Sequence, residues 1–295
     1  MSTHKRIPLP DYLTPGSTIT LQHSAFGELH ATIVPFSESG ASSCPVALVM
    51  FVYVPQECPI QLDMPYVVKI FDPRFMRSAD DPPWSPTIEA AAAHLHGGEI
   101  QYNPRQMPSM RGKDHDEDPV EFERAWFEHT TWMHHNECRA YTHLARLQGF
   151  AVPTFYGSRT LDLSQTDPSR SISPFVLVLE YVRDAVPLSA LDPRLLTEPL
   201  IHAIIGTGGL LQEHGVIHQD VNEANFLLAP AASPVRVVVI DFAESWTRDA
   251  AVDEADWEAA KREWGVEHDR RVMVHFKLRG AGLPIPKIAQ LPPAP

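Results

Sequence analysis

The sequence predicts an α+β fold in two parts: an antiparallel sheet with a long helix, followed by a mostly helical part. Three patterns support this prediction. Apolar, β-branched runs separated by turn residues occupy residues 17–71, a helical repeat covers Pro119 to Gln148, and a second helical stretch begins near Pro193. A chain of 295 residues exceeds the usual size of one domain, so it can form one large domain or two lobes around a cleft.

The composition is typical of a globular protein, with 44% hydrophobic and 21% charged residues. The formal net charge of −13 disfavours a surface that grips nucleic acid phosphates, so we expect no nucleic acid partner. No apolar run approaches the roughly 18 residues of a membrane span. Since the first residues also lack an apolar secretory segment, the sequence predicts no membrane partner and a cytoplasmic location, with a nuclear one left open.

Four strands are predicted in the first part of the chain. Ser17 to Val34 alternates well enough for two strands joined at Phe26 to Glu28, and apolar runs at Cys44 to Val54 and at Tyr66 to Phe71 predict two more. The three cysteines form neither a disulfide framework nor a zinc motif, although Cys44 and Cys58 could pair across a hairpin.

Proline, glycine and acidic residues mark an insertion at residues 72–118, which we expect to be flexible apart from a short helix at Thr87 to His96. The strongest helical signal follows at Pro119 to Gln148. Pro119 suits a first helical position, and Gly149 stands where a C-terminal cap belongs.

The rest of the chain alternates short strands with helices. Strands are predicted near 154–156 and at 175–180, and a mostly helical stretch is predicted from 193 to 214. A further helix at 252–264 precedes a proline-rich tail at 283–295.

Two loops in the last third carry the residues that best indicate a function. Asp220 and Asn225 follow the apolar pair Val216-Ile217, and Asp241 follows the apolar run Val237 to Ile240. Hard oxygen ligands in small number suit Mg²⁺, which keeps waters and relies on substrate phosphates. The three side chains can therefore hold a magnesium–nucleotide complex and deprotonate a hydroxyl.

These two loops resemble the catalytic loop and the metal-binding loop of the protein kinase-like superfamily. The resemblance lies in His-x-Asp-x-x-x-x-Asn at 218–225 and Asp-Phe-Ala at 241–243, in this order and each behind a strand. It implies ATP as co-substrate, Mg²⁺ held by Asn225 and Asp241, and Asp220 as the residue that accepts the proton of the acceptor hydroxyl.

Other elements of the superfamily have counterparts in the chain. Val67-Val68-Lys69 is similar to the strand that carries the phosphate-binding lysine, and Glu137 matches the glutamate that orients it. The resemblance thus implies catalytic roles for Lys69 and Glu137. The glycine-rich loop would lie near Gln22 to Leu29, where only Gly27 is present.

The segment that meets adenine in the superfamily resembles residues 177–182. The resemblance implies that the Glu180 carbonyl and the Val182 backbone hydrogen-bond the base. It also implies that Leu179 lies beside the base and Leu227 beneath it.

The implied architecture is a bilobal protein kinase-like fold. An N-lobe at 15–182 contains the antiparallel sheet, the long helix and the 72–118 insertion, and a reduced helical C-lobe occupies 183–282. Residues 1–14 and 283–295 form an N-terminal extension and a proline-rich tail.

Several departures point to a compact, atypical branch of the superfamily. Gln219 replaces the arginine that often precedes the catalytic acid, Ala243 replaces a glycine, and too few residues follow Asp241 for a full helical lobe. In these traits the chain resembles aminoglycoside and choline kinase-type phosphotransferases, minimal atypical kinases and fungal kinase-like proteins.

The predicted function is transfer of the γ-phosphate of ATP to a hydroxyl of a protein or a small molecule. The alternative is a pseudokinase that binds nucleotide or acts as a scaffold without turnover. The eroded glycine loop favours the alternative, whereas the complete set of Lys69, Glu137, Asp220, Asn225 and Asp241 opposes it. Ordinary structural roles as caps, turn residues or solvated charges also remain open for each of these residues.

Overall fold

The structure is a computed structural model that describes residues 10–35, 44–77, 81–95, 118–249 and 252–278. The chain divides into two compact units: the first contains residues 1–139 and 154–181, and the second contains residues 140–153 and 182–295. The proline-rich tail, most of the N-terminal extension and much of the 72–118 insertion lie outside the described residues, so the predictions made for them remain predictions.

The first unit is built on a closed antiparallel barrel. Its strands are β1 (Thr18–His23), β2 (Gly27–Val34), β3 (Val46–Tyr53), β4 (Pro65–Phe71), β5 (Phe155–Asp162) and β6 (Phe175–Glu180). Their order around the barrel is β1-β2-β3-β4-β6-β5. The α+β class and the antiparallel sheet predicted from the sequence are confirmed.

The closure of the sheet was not predicted, because β5 is longer than its sequence pattern indicates. The sequence predicts a strand only near residues 154–156, whereas β5 continues to Asp162 and pairs with β1 through Thr20 opposite Asp162 and Gln22 opposite Thr160. The extra residues, Gly-Ser-Arg-Thr at 157–160, have no apolar alternation. Tertiary pairing with β1 therefore overrides a weak local preference.

The apolar core of the first unit lies inside the barrel. Because successive side chains of a strand point to opposite faces, the fully buried Val68 and Ile70 of β4 belong to this core. Val67 and Lys69 consequently face outward. This alternation places Lys69 on the outer surface of the barrel.

In its described residues the first unit also contains the helices α1 (Pro73–Met76), α2 (Pro86–Leu95) and α3 (Pro119–His143), and the last residues of α3 belong to the second unit. The predicted helix to Gln148 is too long at its C-terminal end. After His143 the chain tightens into a 3-10 turn at Ala145–Leu147, and the Gln148 side chain donates to the Tyr141 carbonyl at 2.9 Å. The turn buries Leu147, and the side chain of Gln148 satisfies a carbonyl that helix continuation would have used.

Buried ion pairs fix the described part of the 72–118 insertion to the rest of the first unit. Asp72 caps α1 by accepting a hydrogen bond from the Arg74 backbone at 3.0 Å. Arg170, in the β5–β6 connection, donates to Asp72 at 2.8 Å and to Glu89 of α2 at 3.0 Å. Burial favours a raised pKa for Asp72, but the guanidinium groups of Arg170 and Arg74 outweigh it and hold the pKa below its ordinary value.

The second unit combines two helices with short strands. The helices are α4 (Glu198–Glu213) and α5 (Glu254–Leu278), and the strands are β7 (Val186–Pro187), β8 (Val216–Ile217), β9 (Phe226–Ala229), β10 (Arg236–Val239) and β11 (Trp246–Thr247). The helix predicted at 252–264 is α5. It continues well beyond Trp264, where the apolar repeat used for the prediction ends. None of the helices in the described ranges is long and apolar enough to cross a membrane.

Gly208 leaves a notch in the surface of α4, and α5 packs into this notch. A Cβ atom built on Gly208 would lie 2.7 Å from Cδ2 of His268, and the His268 ring is itself buried. Such a distance is too short for two carbon atoms, so α5 can approach α4 closely only because residue 208 has no side chain.

We expect Gly208→Ala to destabilise the protein by about 1–2 kcal/mol, since the overlap with His268 exceeds the helix propensity gained. Gly206→Ala and Gly209→Ala are matched controls in the same helix. No atom lies within 4 Å of a Cβ built at either position, so each should stabilise the protein by up to ~1 kcal/mol. Urea unfolding measures all three, and a stabilising Gly208→Ala would contradict the proposed notch.

Candidate active site

The backbone of Ile240 joins the two acid-bearing loops of the second unit. Its N–H donates to the Asn225 carbonyl at 3.0 Å, and its carbonyl accepts a hydrogen bond from Nε2 of His218 at 2.9 Å. Asp241 is the next residue in the chain. The structure therefore brings Asp241 next to Asn225, as the spacing of the motifs predicts.

The carboxylate of Asp220 is held by two amides. Asn225 Nδ2 donates to the Asp220 carbonyl at 2.9 Å and to Asp220 Oδ2 at 3.0 Å, and Asn222 Nδ2 donates to the same Oδ2 at 3.0 Å. Asn222 also caps the following 3-10 turn, because its side chain accepts from the Ala224 backbone at 2.9 Å. Both amides donate a hydrogen bond to Oδ2 of Asp220. These two bonds orient the carboxylate and leave Oδ1 available to other groups.

Asn222 is a residue whose role the sequence reasoning missed. The sequence shows only that a carboxamide stands two residues after Asp220. A carboxamide two residues after an acid is a frequent local hydrogen-bond partner, so the spacing itself is the signal that could have found it.

The donor set formed by Asn225 and Asp241 fits Mg²⁺. Because Asn225 donates both amide hydrogen bonds toward Asp220, its Oδ1 points away from them and is a hard oxygen ligand. Asp241 supplies a carboxylate and has a left-handed backbone with φ 66°. In the described ranges no group of three or more His, Cys, Asp or Glu side chains is placed to hold a metal. Two protein oxygens suit an ion that completes its shell with phosphates and water.

Aromatic rings support the loops from within the second unit. The fully buried Phe242 lies 5.3 Å from Tyr141 and 5.0 Å from His218, measured between ring centroids. His218 thus packs against Phe242 while it hydrogen-bonds Ile240, so its contacts are structural.

In the first unit, Lys69 and Glu137 form a buried ion pair. Lys69 Nζ lies 2.6 Å from Glu137 Oε2, and the two residues are 4% and 0% exposed. The same Nζ lies 5.3 Å from the centroid of the Phe71 ring. The structure therefore brings together the lysine of β4 and the glutamate of α3, which are far apart in the sequence.

The residues implied to meet adenine fall in both units. In the first unit, Leu179 pairs with Val67 and shares the outward face of Lys69, and the Glu180 carboxylate accepts hydrogen bonds from the backbone and hydroxyl of Thr154, both at 2.9 Å. In the second unit, Val182 and Leu227 belong to one apolar cluster.

Strand pairing through β3 does not bring Gly27 beside Lys69. Val34 pairs with Leu48, and Val46 pairs with Lys69, so the β2–β3 connection leaves the sheet at the end where Lys69 lies. Gly27 begins β2 at its other end. Its φ of 77° and the open space around it identify a turn glycine, which the sequence reasoning took for part of a phosphate loop.

No protein-family model and no curated protein matches the chain. Among solved structures the chain is similar to the Rio2 kinase of Chaetomium thermophilum in an ADP/Mg²⁺-phosphoaspartate complex, at 16% identity and a TM-score of 0.44. This match covers 87% of the chain but only 59% of the Rio2 chain, which is less than two thirds of it.

The chain is also similar to the PknI kinase domain of Mycobacterium tuberculosis, at 17% identity and a TM-score of 0.41, over 90% of this chain and 77% of that one. Both of these proteins are kinases.

We expect Glu137→Ala to cost about 3–5 kcal/mol of unfolding free energy, because it removes the carboxylate that lies 2.6 Å from the buried Lys69 ammonium group. Glu128→Ala is the matched control on the same helix. Glu128 pairs with the half-exposed Arg124, so its loss should cost less than ~1 kcal/mol. Guanidinium unfolding measures both, and the double variant Lys69→Met/Glu137→Leu should recover most of the loss. Equal costs for the two single variants would contradict the burial argument.

His268 should make the second unit sensitive to acid. Burial, assisted by neighbouring His218, lowers the pKa of His268 to about 4 despite opposing hydrogen bonds from the backbone of α4. The unfolded chain, with a pKa near ~6.5, then binds more protons, so stability is complete above that pH and is lost as pH falls toward the folded pKa.

We expect roughly 3 kcal/mol to be lost between about pH 6.5 and pH 4 through this group, at ~1.4 kcal/mol per pKa unit. His268→Gln should lose correspondingly less over the same range. Exposed His202 of α4 provides the control His202→Gln. Unfolding free energies measured at successive pH values test this, and identical pH profiles for wild type and His268→Gln would refute it.

Proposed function

We propose that this chain is an ATP- and Mg²⁺-dependent phosphotransferase that transfers the γ-phosphate to a hydroxyl group of an acceptor. The observation that carries the proposal is the pair of backbone hydrogen bonds of Ile240. They join the loop that carries Asp220 and Asn225 to the loop that carries Asp241. An acid and an amide on one loop and a second acid on the loop joined to it are the side chains that phosphoryl transfer needs.

In this proposal Asp220 is the proton acceptor. Its Oδ2 is occupied by Asn222 and Asn225, so Oδ1 takes the proton of the acceptor hydroxyl. The acceptor oxygen forms a bond to the γ-phosphorus, the bond from that phosphorus to the bridging oxygen breaks, and ADP leaves. Asn225 Oδ1 and the Asp241 carboxylate would hold Mg²⁺, which neutralises phosphate charge when bound.

Lys69 is proposed to bind the α- and β-phosphates, and Glu137 to keep its ammonium group in place. The 2.6 Å ion pair, buried on the outer face of the barrel, supports these roles. We further propose that the two units are the lobes of a bilobal kinase. Leu179, Glu180, Val182 and Leu227 are proposed to bind the adenine of the nucleotide.

A cytoplasmic location and a protein or small-molecule acceptor belong to the same proposal. The net charge of −13 supports neither a nucleic acid acceptor nor an anionic surface as partner. The acceptor is identified most directly by screening transfer of labelled γ-phosphate to the protein itself, to generic proteins and to a panel of hydroxylated metabolites.

A nucleotide-binding protein without turnover is the second candidate. It is favoured by the position of Gly27, which lies at the far end of β2 from the pairing of Val46 with Lys69. A kinase needs a close backbone approach to the phosphates, and glycine is the residue that permits it.

We expect Asp220→Ala to lower turnover by about 10²–10⁴-fold while ATP binding stays near the wild-type value, because the acid acts on the acceptor proton. Asp241→Ala should instead abolish the strengthening of ATP binding by Mg²⁺. Asp256→Ala, on the exposed side of α5, is the control and should change neither property. ADP release measures turnover, and the rise in Tm with ATP, with and without Mg²⁺, measures binding.

These measurements also separate the two candidates. A Mg²⁺-dependent rise in Tm with ADP release supports the enzyme, and the same rise without ADP release supports the nucleotide-binding protein. If wild type and Asp220→Ala release ADP at equal rates, the assigned mechanism is wrong. If ATP leaves Tm unchanged, neither candidate stands.

A further inference from the structure

His134 lies one helical turn before Glu137 on α3 and contacts three strands of the barrel. Its Nε2 lies 2.7 Å from Ser158 Oγ of β5. Its ring stacks on Phe175 of β6 with centroids 4.5 Å apart and an interplanar angle of 11°, and it meets the edge of Phe71 of β4 at 5.4 Å. The side chain is therefore fixed by strands that are adjacent in the barrel.

Besides Ser158 Oγ, Nε2 of His134 has the Cys138 thiol as a polar neighbour, with Sγ at 3.4 Å, and aromatic rings cover the rest of the side chain. Burial, together with neighbouring His135, lowers the pKa of His134 to about 3, so the ring is neutral. Among the residues that the structure describes, Nδ1 has no hydrogen-bond partner and is buried. The single proton therefore belongs on Nε2, which donates it to Ser158 Oγ, because an unmet N–H costs more than an unmet lone pair.

A buried hydrogen bond of this kind selects one placement of a helix. Apolar contacts tolerate small rotations and slides of α3, whereas the bond to Ser158 is lost when the helix moves by about one ångström. Residues three apart lie on the same face of a helix. The placement that satisfies His134 is thus the placement that directs Glu137 toward β4.

The contacts around His134 lead back to the ion pair. Phe71 touches the His134 ring and also lies 5.3 Å below the Lys69 ammonium group. Lys69 in turn lies 2.6 Å from Glu137. His134, Phe71, Lys69 and Glu137 therefore form one connected group on the outer face of the barrel.

We infer that His134 is a positioning residue that acts through Glu137. Its hydrogen bond to Ser158 and its stack on Phe175 hold α3 in the register in which Glu137 pairs with Lys69. Its effect on nucleotide binding rests on the proposed function, whereas its effect on the ion pair does not. The two effects are therefore measured separately.

The first experiment tests the ion pair without any ligand. His134→Phe keeps an aromatic ring on Phe175 but removes the hydrogen bond, and Ser158→Ala removes the bond from the other side. We expect the drop in Tm caused by Glu137→Gln to be smaller in either variant than in the wild type, because the pair is already loosened. The two variants combined should lower Tm by less than the sum of their separate effects.

Phe122→Leu is the matched control for this experiment. Phe122 is a buried residue of α3 about 22 Å along the helix from Glu137, at ~1.5 Å per residue. Its effect on Tm should add to that of Glu137→Gln. If the effects of His134→Phe and Glu137→Gln are equally additive, His134 packs without positioning and the inference is overturned.

The second experiment uses Mg²⁺-ATP. We expect His134→Phe and Ser158→Ala to weaken its binding up to roughly tenfold, the range of one hydrogen bond, while Phe122→Leu leaves it unchanged. If the wild type does not bind Mg²⁺-ATP, the proposed function fails and the Tm cycle alone decides the role of His134. If the wild type binds and both variants bind equally well, the positioning does not reach the nucleotide and the inference is overturned.

Discussion

The two hydrogen bonds of the Ile240 backbone are the constraint on which the candidate site depends. They connect the carbonyl of Asn225 and the ring of His218 to the residue that precedes Asp241. Backbone groups must find partners when they are buried, so this connection also satisfies a requirement of folding. The side chains of Asp220, Asn225 and Asp241 are thereby left for chemistry, and buried Phe242 supports the arrangement from inside the second unit.

The first unit obeys a different constraint, the burial of charge. Lys69 and Glu137 are both buried, and desolvating such a pair costs about as much as their attraction returns. A well-packed apolar pair would stabilise the fold as well or better. The pair is therefore better explained by what it positions than by stability, and the neutral His134 beside it specifies the placement of α3.

Features that depend on residues close together in the sequence could be predicted, whereas features that depend on distant residues could not. The loop that carries Asp220 and Asn225 could be singled out because these residues lie five positions apart and have polar side chains of the type that phosphoryl transfer uses. The ends of α3 and α5 were misjudged by several residues, because apolar spacing does not report where a helix tightens or continues. The sequence indicated a role for Asp220 only as a base, and it did not indicate Asn222 as the hydrogen-bond donor to its carboxylate.

Larger errors came from strand pairing. Gly27 was assigned to a phosphate loop because its hairpin precedes the lysine strand in the sequence, but three strands precede β4 and the pairing register places Gly27 at the other end of β2. The polar half of β5 gave no strand signal, yet it closes the barrel on β1.

The sequence by itself determined the α+β class and the residue types on the two loops, which follow from residue types and short spacings. The pairing of Lys69 with Glu137, 68 residues apart, was implied only by the resemblance to the protein kinase-like superfamily. Only the tertiary structure decided that the sheet closes, that Lys69 faces outward toward α3, and that His134 and Ile240 hold the candidate groups. These features depend on pairings between segments far apart in the chain, and their register is set by the packing of the whole unit, which no local pattern encodes.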